Sequence, residues 1–142
     1  MISYDDENLY VALIANDDPS TVRYSLRDRD NIFSDDYFGV MLDTYGDNAS
    51  GYEFFVNPLG IQGDLRMNEG GGEDESFDAV WYSKGKVTAT GYQVEIAIPF
   101  NSLRFPNKEE QVWKVNFWRD RQRETRYQMA WGALDRNNNC FI

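Results

Sequence analysis

Apolar and polar residues alternate along residues 36–67 in a way that predicts three antiparallel strands. The segment reads DYFGVMLDT, the turn YGDNAS, GYEFFVNP, the tight turn LG, and IQGDLRM. In its first part Phe38, Val40 and Leu42 share one face, and a period of two is typical of a half-buried strand rather than a helix. The opposite face is neither a plain core nor a plain solvent surface, and it holds Gly39, Met41, Phe55 and Asn57.

The same alternation recurs through the rest of the chain. Further strands are predicted at residues 8–15, 21–26, 79–82, 86–90, 90–100, 112–119 and 123–131. NSLRFP reads as one helical turn, and residues 68–78 read as a flexible surface loop. About eight or nine short strands with little helix predict an all-β, antiparallel β-sandwich of the immunoglobulin-like kind. The same pattern places Trp81, Trp113 and Trp131 in the core, and Trp118 on the opposite face from Trp113.

The length of the chain indicates the number of domains, and its charge limits the kinds of partner that it can bind. The chain has 142 residues and a formal net charge of −10. This length predicts one domain, residues 1–142, with a real core. The negative charge argues against nucleic acid and against insertion into anionic membranes, where Lys and Arg supply the binding energy. An acidic surface suits neutral or cationic ligands, and solubility alone is the alternative explanation.

Several kinds of chemistry are excluded by composition. The sequence contains no His, which removes His-dependent nucleophiles, His-ligated zinc and His-ligated haem. Its one cysteine, Cys140, forms no intrachain disulfide, so cysteine usage does not reveal the compartment. There is no apolar run of membrane-spanning length and no signal peptide. Met1 leads straight into a strand pattern, which suggests a fragment that begins inside a domain.

Carboxylates offer a first candidate site. Glu53 and Glu95 both lie on the second face of their predicted strands, and two facing carboxylates can hydrolyse glycosidic bonds. Outward glutamates on strands are usually solvated, however, so an ordinary surface role explains them as well.

Two acidic turns offer a candidate metal site. Hard cations such as calcium take about six to eight oxygen ligands, which turns of this composition can supply. Turn-forming Asp and Asn explain the same residues without a metal. The predicted ligands of a structural calcium ion are Asp17, Asp18, Asp43, Asp47 and Asn48.

Aromatic residues on the second face form the third candidate. Trp118 lies beside Asn116 and is expected near Phe55, and exposed rings on a sheet can stack on sugars or dock a partner. The alternative is that a neighbouring domain or a missing segment covers these rings. The proposed ligand-binding set is Phe33, Gly39, Phe55, Asn57, Glu95, Asn116 and Trp118.

Five segments together resemble a known family. They read YDDENLYVALIAND, FSDDYFGVMLDT, YEFFVNPLGIQGD, GYQVEIAIPFNSLRF and VWKVNFWRD. Their order and spacing resemble the carbohydrate-binding module family 9-like domains of the DOMON-type β-sandwich superfamily. The nearest likeness is to domains at the N-terminus of large bacterial envelope-associated proteins of unknown function. The resemblance covers most of residues 4–132, and the family's usual first segment is missing.

The resemblance implies a secreted module that grips sugars between aromatic side chains and is stabilised by calcium. The family's stacking Trp falls at Phe33, its acidic ligand at Gly39, its Arg at Phe55 and its late-strand Gln at Trp118. A second stacking Trp has Phe141 as its nearest counterpart. Because polar sugar contacts are replaced by Gly and aromatics, capture of a sugar reducing end is not expected, since an unpaired buried hydroxyl costs about 1–3 kcal/mol. The haem-binding relatives are disfavoured because the chain lacks His.

Three functions therefore stay open. The first is a non-catalytic module, outside the cell, in the periplasm or in the envelope, that binds glycan by aromatic stacking. The second is an interaction module whose apolar face packs against a parent protein, or whose exposed edge joins copies into a homo-oligomer. The third is a hydrolase that uses Glu53 and Glu95.

Overall fold

The chain folds into two antiparallel sheets, which confirms the predicted β-sandwich. A computed structural model describes residues 1–68 and 72–133. Cys140 and Phe141 lie outside the described residues. In chain order the strands are β1 (Ile2–Tyr4), β2 (Asn8–Asn16), β3 (Tyr37–Asp43), β4 (Gly51–Val56), β5 (Gln62–Met67), β6 (Glu73–Asp74), β7 (Tyr82–Thr88), β8 (Gly91–Pro99), β9 (Lys114–Arg121) and β10 (Tyr127–Ala130). Two short 3-10 helices occupy Pro19–Thr21 and Phe100–Ser102.

The order and register of the strands determine which side of each sheet carries the apolar residues. One sheet has the order β1-β2-β8-β7, and the other has the order β10-β9-β3-β4-β5-β6. Long pairing between β2 and β8 sets Leu9 opposite Ile98 and Leu13 opposite Val94. In the six-stranded sheet Val40 of β3 lies between Phe54 of β4 and Phe117 of β9. These registers turn the apolar residues of neighbouring strands to the same side.

The main core fills the space between the sheets. It contains the faces of β3 and β4 that alternation predicts to be apolar, together with the apolar faces of β2 and β8. Phe54, Tyr92 and Ile98 are completely buried there, and Trp81 is almost so. Trp113 packs against this core from a partly buried position. In the described part of the chain, no helix is long and apolar enough to cross a membrane.

Four local predictions are wrong. The strand predicted at 21–26 does not form, because Thr21 ends the first 3-10 helix and residues 22–26 pair with neither sheet. The pair predicted at 79–82 and 86–90 is instead the single strand β7, which contains Gly85. A short strand, β6, interrupts the predicted loop at 68–78. Trp131 is 76% exposed rather than buried, because it lies just beyond the end of β10, the edge strand of the larger sheet.

Candidate functional site

The outer face of the six-stranded sheet carries a depression of about 390 Å³. This volume lies within the range of about 300–1,000 Å³ that is usual for small-molecule sites. A second apolar cluster forms its floor, separate from the main core, with Tyr37, Met41, Phe55 and Leu65 buried in it. Phe33 and Trp118 are partly buried at its sides. We call this site the outer depression, and its full lining is Phe33, Tyr37, Met41, Glu53, Phe55, Leu65, Glu73, Glu75, Trp118, Arg126 and Gln128.

Two glycines shape the floor. Neighbouring strands place Trp118, Gly39, Phe55 and Gly63 in one row across the sheet. A Cβ added at Gly39 would lie 2.1 Å from the Phe54 carbonyl oxygen and 2.5 Å from Phe55 Cδ1. One at Gly63 would lie 3.0 Å from Ile32 Cγ1 and 3.1 Å from Phe33 Cζ. The row thus alternates aromatic residues with glycines, and the glycines leave room for the aromatic rings.

The segment before β3 folds over this face and supplies Phe33. Ile32 is fully buried against the sheet, whereas Phe33 makes edge-to-face contacts with Tyr37 and Phe55 at ring-centroid distances of 5.5 and 6.2 Å. Backbone hydrogen bonds and the Arg29–Asp64 ion pair, at 2.6 Å, hold the segment in place. In the sequence, Ile32 and Phe33 form an apolar pair within a charged loop. In the structure, Ile32 fixes the loop to the sheet, and Phe33 forms one side of the outer depression.

Glu53 is the unusual polar group of the outer depression. It lies in a row between Met41 of β3 and Leu65 of β5, and its side chain is only 2% exposed. Its Oε1 atom has no hydrogen-bond partner among the described residues. Burial raises the pKa of Glu53 to about 8, and the nearby Glu73 carboxylate adds to the shift. An unpartnered, buried carboxyl of this kind marks a candidate ligand contact.

A hydrogen-bonded polar wall closes one side of the depression. Tyr37 donates its hydroxyl hydrogen to Asp120 at 3.1 Å, and Arg126 forms an ion pair with the same carboxylate at 2.6 Å. Gln128 donates to Asp120 at 3.3 Å. Burial, and after it the Asp120 carboxylate, raises the pKa of Tyr37, so its hydroxyl is neutral near pH 7. The wall therefore offers oriented donors and acceptors beside an aromatic floor.

Comparison with known families identifies the type of domain. The family model described as "Carbohydrate family 9 binding domain-like" matches residues 1–139 of this chain. The chain belongs to this family. It is thus a carbohydrate-binding module-like domain, as the segment resemblance indicates, and we refer to it below as the family 9-like domain.

A solved structure supports the same fold for the family 9-like domain. The crystal structure at 2.70 Å of a protein from Bacteroides uniformis ATCC 8492, named a "putative carbohydrate-binding protein", matches with a TM-score of 0.69 and 13% sequence identity. The match covers 92% of this chain and 66% of that chain, so the domain spans just under two thirds of its solved relative. No curated protein sequence matches this chain.

The structure brings together four of the residues predicted for the ligand-binding face. Phe33, Phe55 and Trp118 line the outer depression, and Gly39 lies beneath it between two of these rings. Asn116 lies on the same face of the sheet but outside the lining. Its Oδ1 atom accepts hydrogen bonds from the backbone N–H groups of Phe117 and Gly132, so its amide supports the β9–β10 end.

Two other members of the predicted set lie elsewhere. Glu95 belongs to β8 in the four-stranded sheet, where it is exposed on the opposite outer surface of the sandwich. The prediction that it shares this face is wrong, because alternation identifies a side of a strand but not the sheet to which the strand belongs. Asn57 is fully buried outside the lining, where its Oδ1 accepts from the N–H groups of Leu59 and Ile61 and its Nδ2 donates to Asp35.

The placement of Glu95 also removes the predicted hydrolase pair. Glu53 and Glu95 lie on different sheets and do not face one another, so the geometry of paired catalytic carboxylates is absent for these two residues. The expectation that the face lacks polar partners for sugar hydroxyls is wrong as well. Its polar groups come from positions outside the family pattern, namely Glu53, Glu73, Glu75, Arg126 and Gln128.

Sequence reasoning had a usable signal for only part of this polar set. Glu53 shares the outward face of its strand with Phe55, so alternation places both on one surface. Arg126 and Gln128 reach the depression only because β10 pairs with β9, with Gln128 opposite Asp120. Nothing in the local sequence indicates that pairing.

The residues predicted to hold calcium separate into two groups. Asp17 meets Arg119, Arg121 and Arg123 at 2.7–3.1 Å, and the hydrogen bond from Arg121 is the main reason that its pKa is lowered. Asp18 caps the first 3-10 helix by accepting from the Ser20 N–H group. Asp17 thus lies at the arginine end of β9, whereas Asp43 lies opposite Lys114 at the other end.

The second group consists of Asp43, Asp47 and Asn48, which already form hydrogen bonds at the turn after β3. Asp43 is fully buried and accepts hydrogen bonds from the N–H groups of Tyr45, Gly46 and Asn48. Asp47 accepts from the Ala49 N–H group, and Lys114 donates to Asn48. Among the described residues, no group of three or more His, Cys, Asp or Glu side chains is arranged to hold a metal ion. This donor set does not fit calcium, and we derive no role from the ion.

We expect calcium removal to leave the stability of the domain unchanged, because arginines and backbone N–H groups already occupy these carboxylates. Thermal melting should give the same midpoint in excess EDTA and in millimolar calcium. A midpoint that rises by several degrees with calcium would show that a site exists and would contradict this prediction.

Proposed function

We propose that the family 9-like domain binds carbohydrate in the outer depression without catalysing a reaction. The observation that carries the proposal is the combination of an aromatic floor with a buried carboxyl, Glu53, whose Oε1 atom has no partner among the described residues. Sugar rings present apolar C–H faces and hydroxyl edges, so a site of this kind needs stacking surfaces and hydrogen-bonding groups together. Family membership supports a carbohydrate partner.

The rings have distinct roles in this proposal. Phe55 and Tyr37, at a centroid distance of 5.2 Å, form the floor. Trp118 and Phe33 stand at its sides and contribute the surfaces on which a sugar ring stacks. Arg126 and Gln128 are exposed at the rim, where they can bond to sugar hydroxyls while Asp120 orients them. Glu95, the predicted catalytic partner of Glu53, lies on the opposite sheet, which favours a binding role over hydrolysis by that pair.

The proposed setting is a larger protein outside the cell or in the cell envelope, as is usual for carbohydrate-binding modules. A second candidate function is an interaction module. The edge strand β1 favours it, because Ile2 and Tyr4 expose 47% and 79% of their surfaces beside unpaired backbone groups. Sedimentation at increasing protein concentration tests self-association, and a monomer at all concentrations would remove pairing between copies.

We expect Trp118→Ala to weaken polysaccharide binding by about five-fold or more, because it removes a stacking surface of the kind that contributes about 1 kcal/mol or more. Affinity electrophoresis through gels that contain soluble polysaccharides measures the retardation. Trp131→Ala is the matched control, because Trp131 is exposed and packs edge-on against Phe117 on the other side of the sheet. Retardation by no polysaccharide would contradict the proposed function, and equal loss in both variants would place the site elsewhere.

A further inference from the structure

The charges around the outer depression point to the class of sugar. Glu53, Glu73 and Glu75 all line it. Arg126 is the one cationic side chain in the described lining, and its guanidinium group is held by Asp120 and Tyr37. The formal charge of the whole chain, −10, has the same sign. A uronic acid or a sulfated sugar would therefore meet repulsion, whereas a cationic ligand would be attracted.

The burial of Glu53 indicates a specific site for a cationic group, beyond the general attraction that a negative surface exerts. Its carboxyl is almost fully buried, with one oxygen unpartnered among the described residues, and Met41 and Leu65 flank it. A buried carboxylate without a partner is costly, and an ammonium group is the partner that offsets the cost best. The described acidic side chains are not grouped to hold a metal ion, so an organic cation is the better fit.

The aromatic floor adds the second requirement. A flexible polyamine would satisfy the carboxylates but offers no flat apolar face to the aromatic residues that line the outer depression. A sugar ring with an amino substituent satisfies both, since its C–H face stacks while its ammonium reaches Glu53. We propose, on the basis of the proposed function, that the outer depression is selective for amino sugars with a free amine, and that Glu53 binds the ammonium group.

The raised pKa of Glu53 is consistent with an ammonium ligand. In the free protein, burial raises the pKa of Glu53 to about 8, so the carboxyl is largely protonated at pH 7. An ammonium group beside it favours the ionised form and lowers that pKa. When the bound amine is already an ammonium ion, Glu53 therefore releases its proton to the buffer. A neutral amine takes up that proton itself, and a neutral sugar leaves the proton on Glu53.

The test compares hexasaccharides of β-1,4-glucosamine, β-1,4-N-acetylglucosamine and β-1,4-glucose with spermine by titration calorimetry at pH 6, where the glucosamine amines are largely ammonium ions. We expect the glucosamine hexamer to bind at least ten-fold more tightly than the two neutral hexamers and than spermine. Repeating the titration in buffers of different ionisation enthalpy should reveal the released proton. Glu53→Gln should abolish both the preference for the glucosamine hexamer and the proton release.

Glu95→Gln is the matched control, because it makes the same substitution on the opposite surface. Its affinities should equal those of the wild type. Equal binding of all three hexamers would overturn the amino-sugar inference and leave the proposed function standing. Spermine binding as tightly as the glucosamine hexamer, or a preference that survives in Glu53→Gln, would overturn it too. Binding of no hexamer would remove both the inference and the proposed function.

Discussion

Gly39→Ala should lower the free energy of unfolding by about 3 kcal/mol, which is the upper part of the usual range for overpacking. The added methyl group would lie 2.1 Å from the Phe54 carbonyl oxygen, inside van der Waals contact with backbone that β3 and β4 hold rigidly. Neither strand can move away without breaking its ladder. Thermal or urea unfolding should show a midpoint about 10 °C lower at this chain length. The displaced Phe55 ring should also weaken polysaccharide binding.

Gly72→Ala provides the control for this prediction. A Cβ at Gly72 meets nothing within 4 Å, so the same substitution should change the midpoint by no more than about 1 °C. The contrast separates the clash at Gly39 from the general effect of replacing glycine on the unfolded chain. An unfolding midpoint for Gly39→Ala within about 2 °C of the wild type would show that the strands separate easily and would contradict the packing argument.

Glu53→Gln should stabilise the domain above pH 8 and leave its stability nearly unchanged at pH 4.5. The pKa of Glu53 is raised from its ordinary value of 4.5 to about 8 in the folded protein, with burial as the main cause. Between these two values the folded protein keeps a proton that the unfolded chain has lost. Its stability therefore falls as pH rises through this window, by about 1.4 kcal/mol per pH unit, and the contribution is constant below and above it.

The measurement is the difference in unfolding free energy between variant and wild type from pH 4 to pH 9. Glutamine has the same shape but does not ionise, so the difference should grow to roughly 5 kcal/mol across the window. Glu95→Gln, on an exposed position, should give a difference that stays near zero. A flat difference for Glu53→Gln would mean that Glu53 is solvated or paired, and the argument for its ligand role would fail.

These two predictions address separate parts of one site. Gly39 sets the depth of the aromatic floor through the space that its missing side chain leaves. Glu53 sets the polarity of the floor through a carboxyl that the fold shields from water. The first is a matter of packing and the second of desolvation, so their effects should be nearly additive if the two residues act independently.

Alternation alone correctly identified which residues of each long strand face the core. Phe38, Val40 and Leu42 on β3, and the inward residues from Tyr92 to Ile98 on β8, all pack against the main core. The same rule put Phe55 and Trp118 on the other face, where they share the second cluster. This succeeded because a strand buried on one side must separate apolar from polar residues with a period of two.

Alternation could not predict which residues of different strands become neighbours in the folded protein. Glu95 has the correct spacing for an outward residue, yet β8 belongs to the four-stranded sheet. Trp131 has the spacing of a core residue, but it lies just beyond the edge strand β10 and is exposed. Asn57 continues the outward face of β4 by position, but its amide is taken up by the turn and by Asp35.

The sequence by itself therefore determined the class of fold, the faces of its long strands and the aromatic character of the outer surface, because these follow from local periodicity. Only the tertiary structure decided what that surface contains. Burial of Glu53, the space above Gly39 and the approach of Arg126 each depend on strands that are distant in sequence, as in the pairing of Gly39 with both Phe55 and Trp118. Desolvation and close packing are properties of an assembled neighbourhood, and a local pattern cannot encode them.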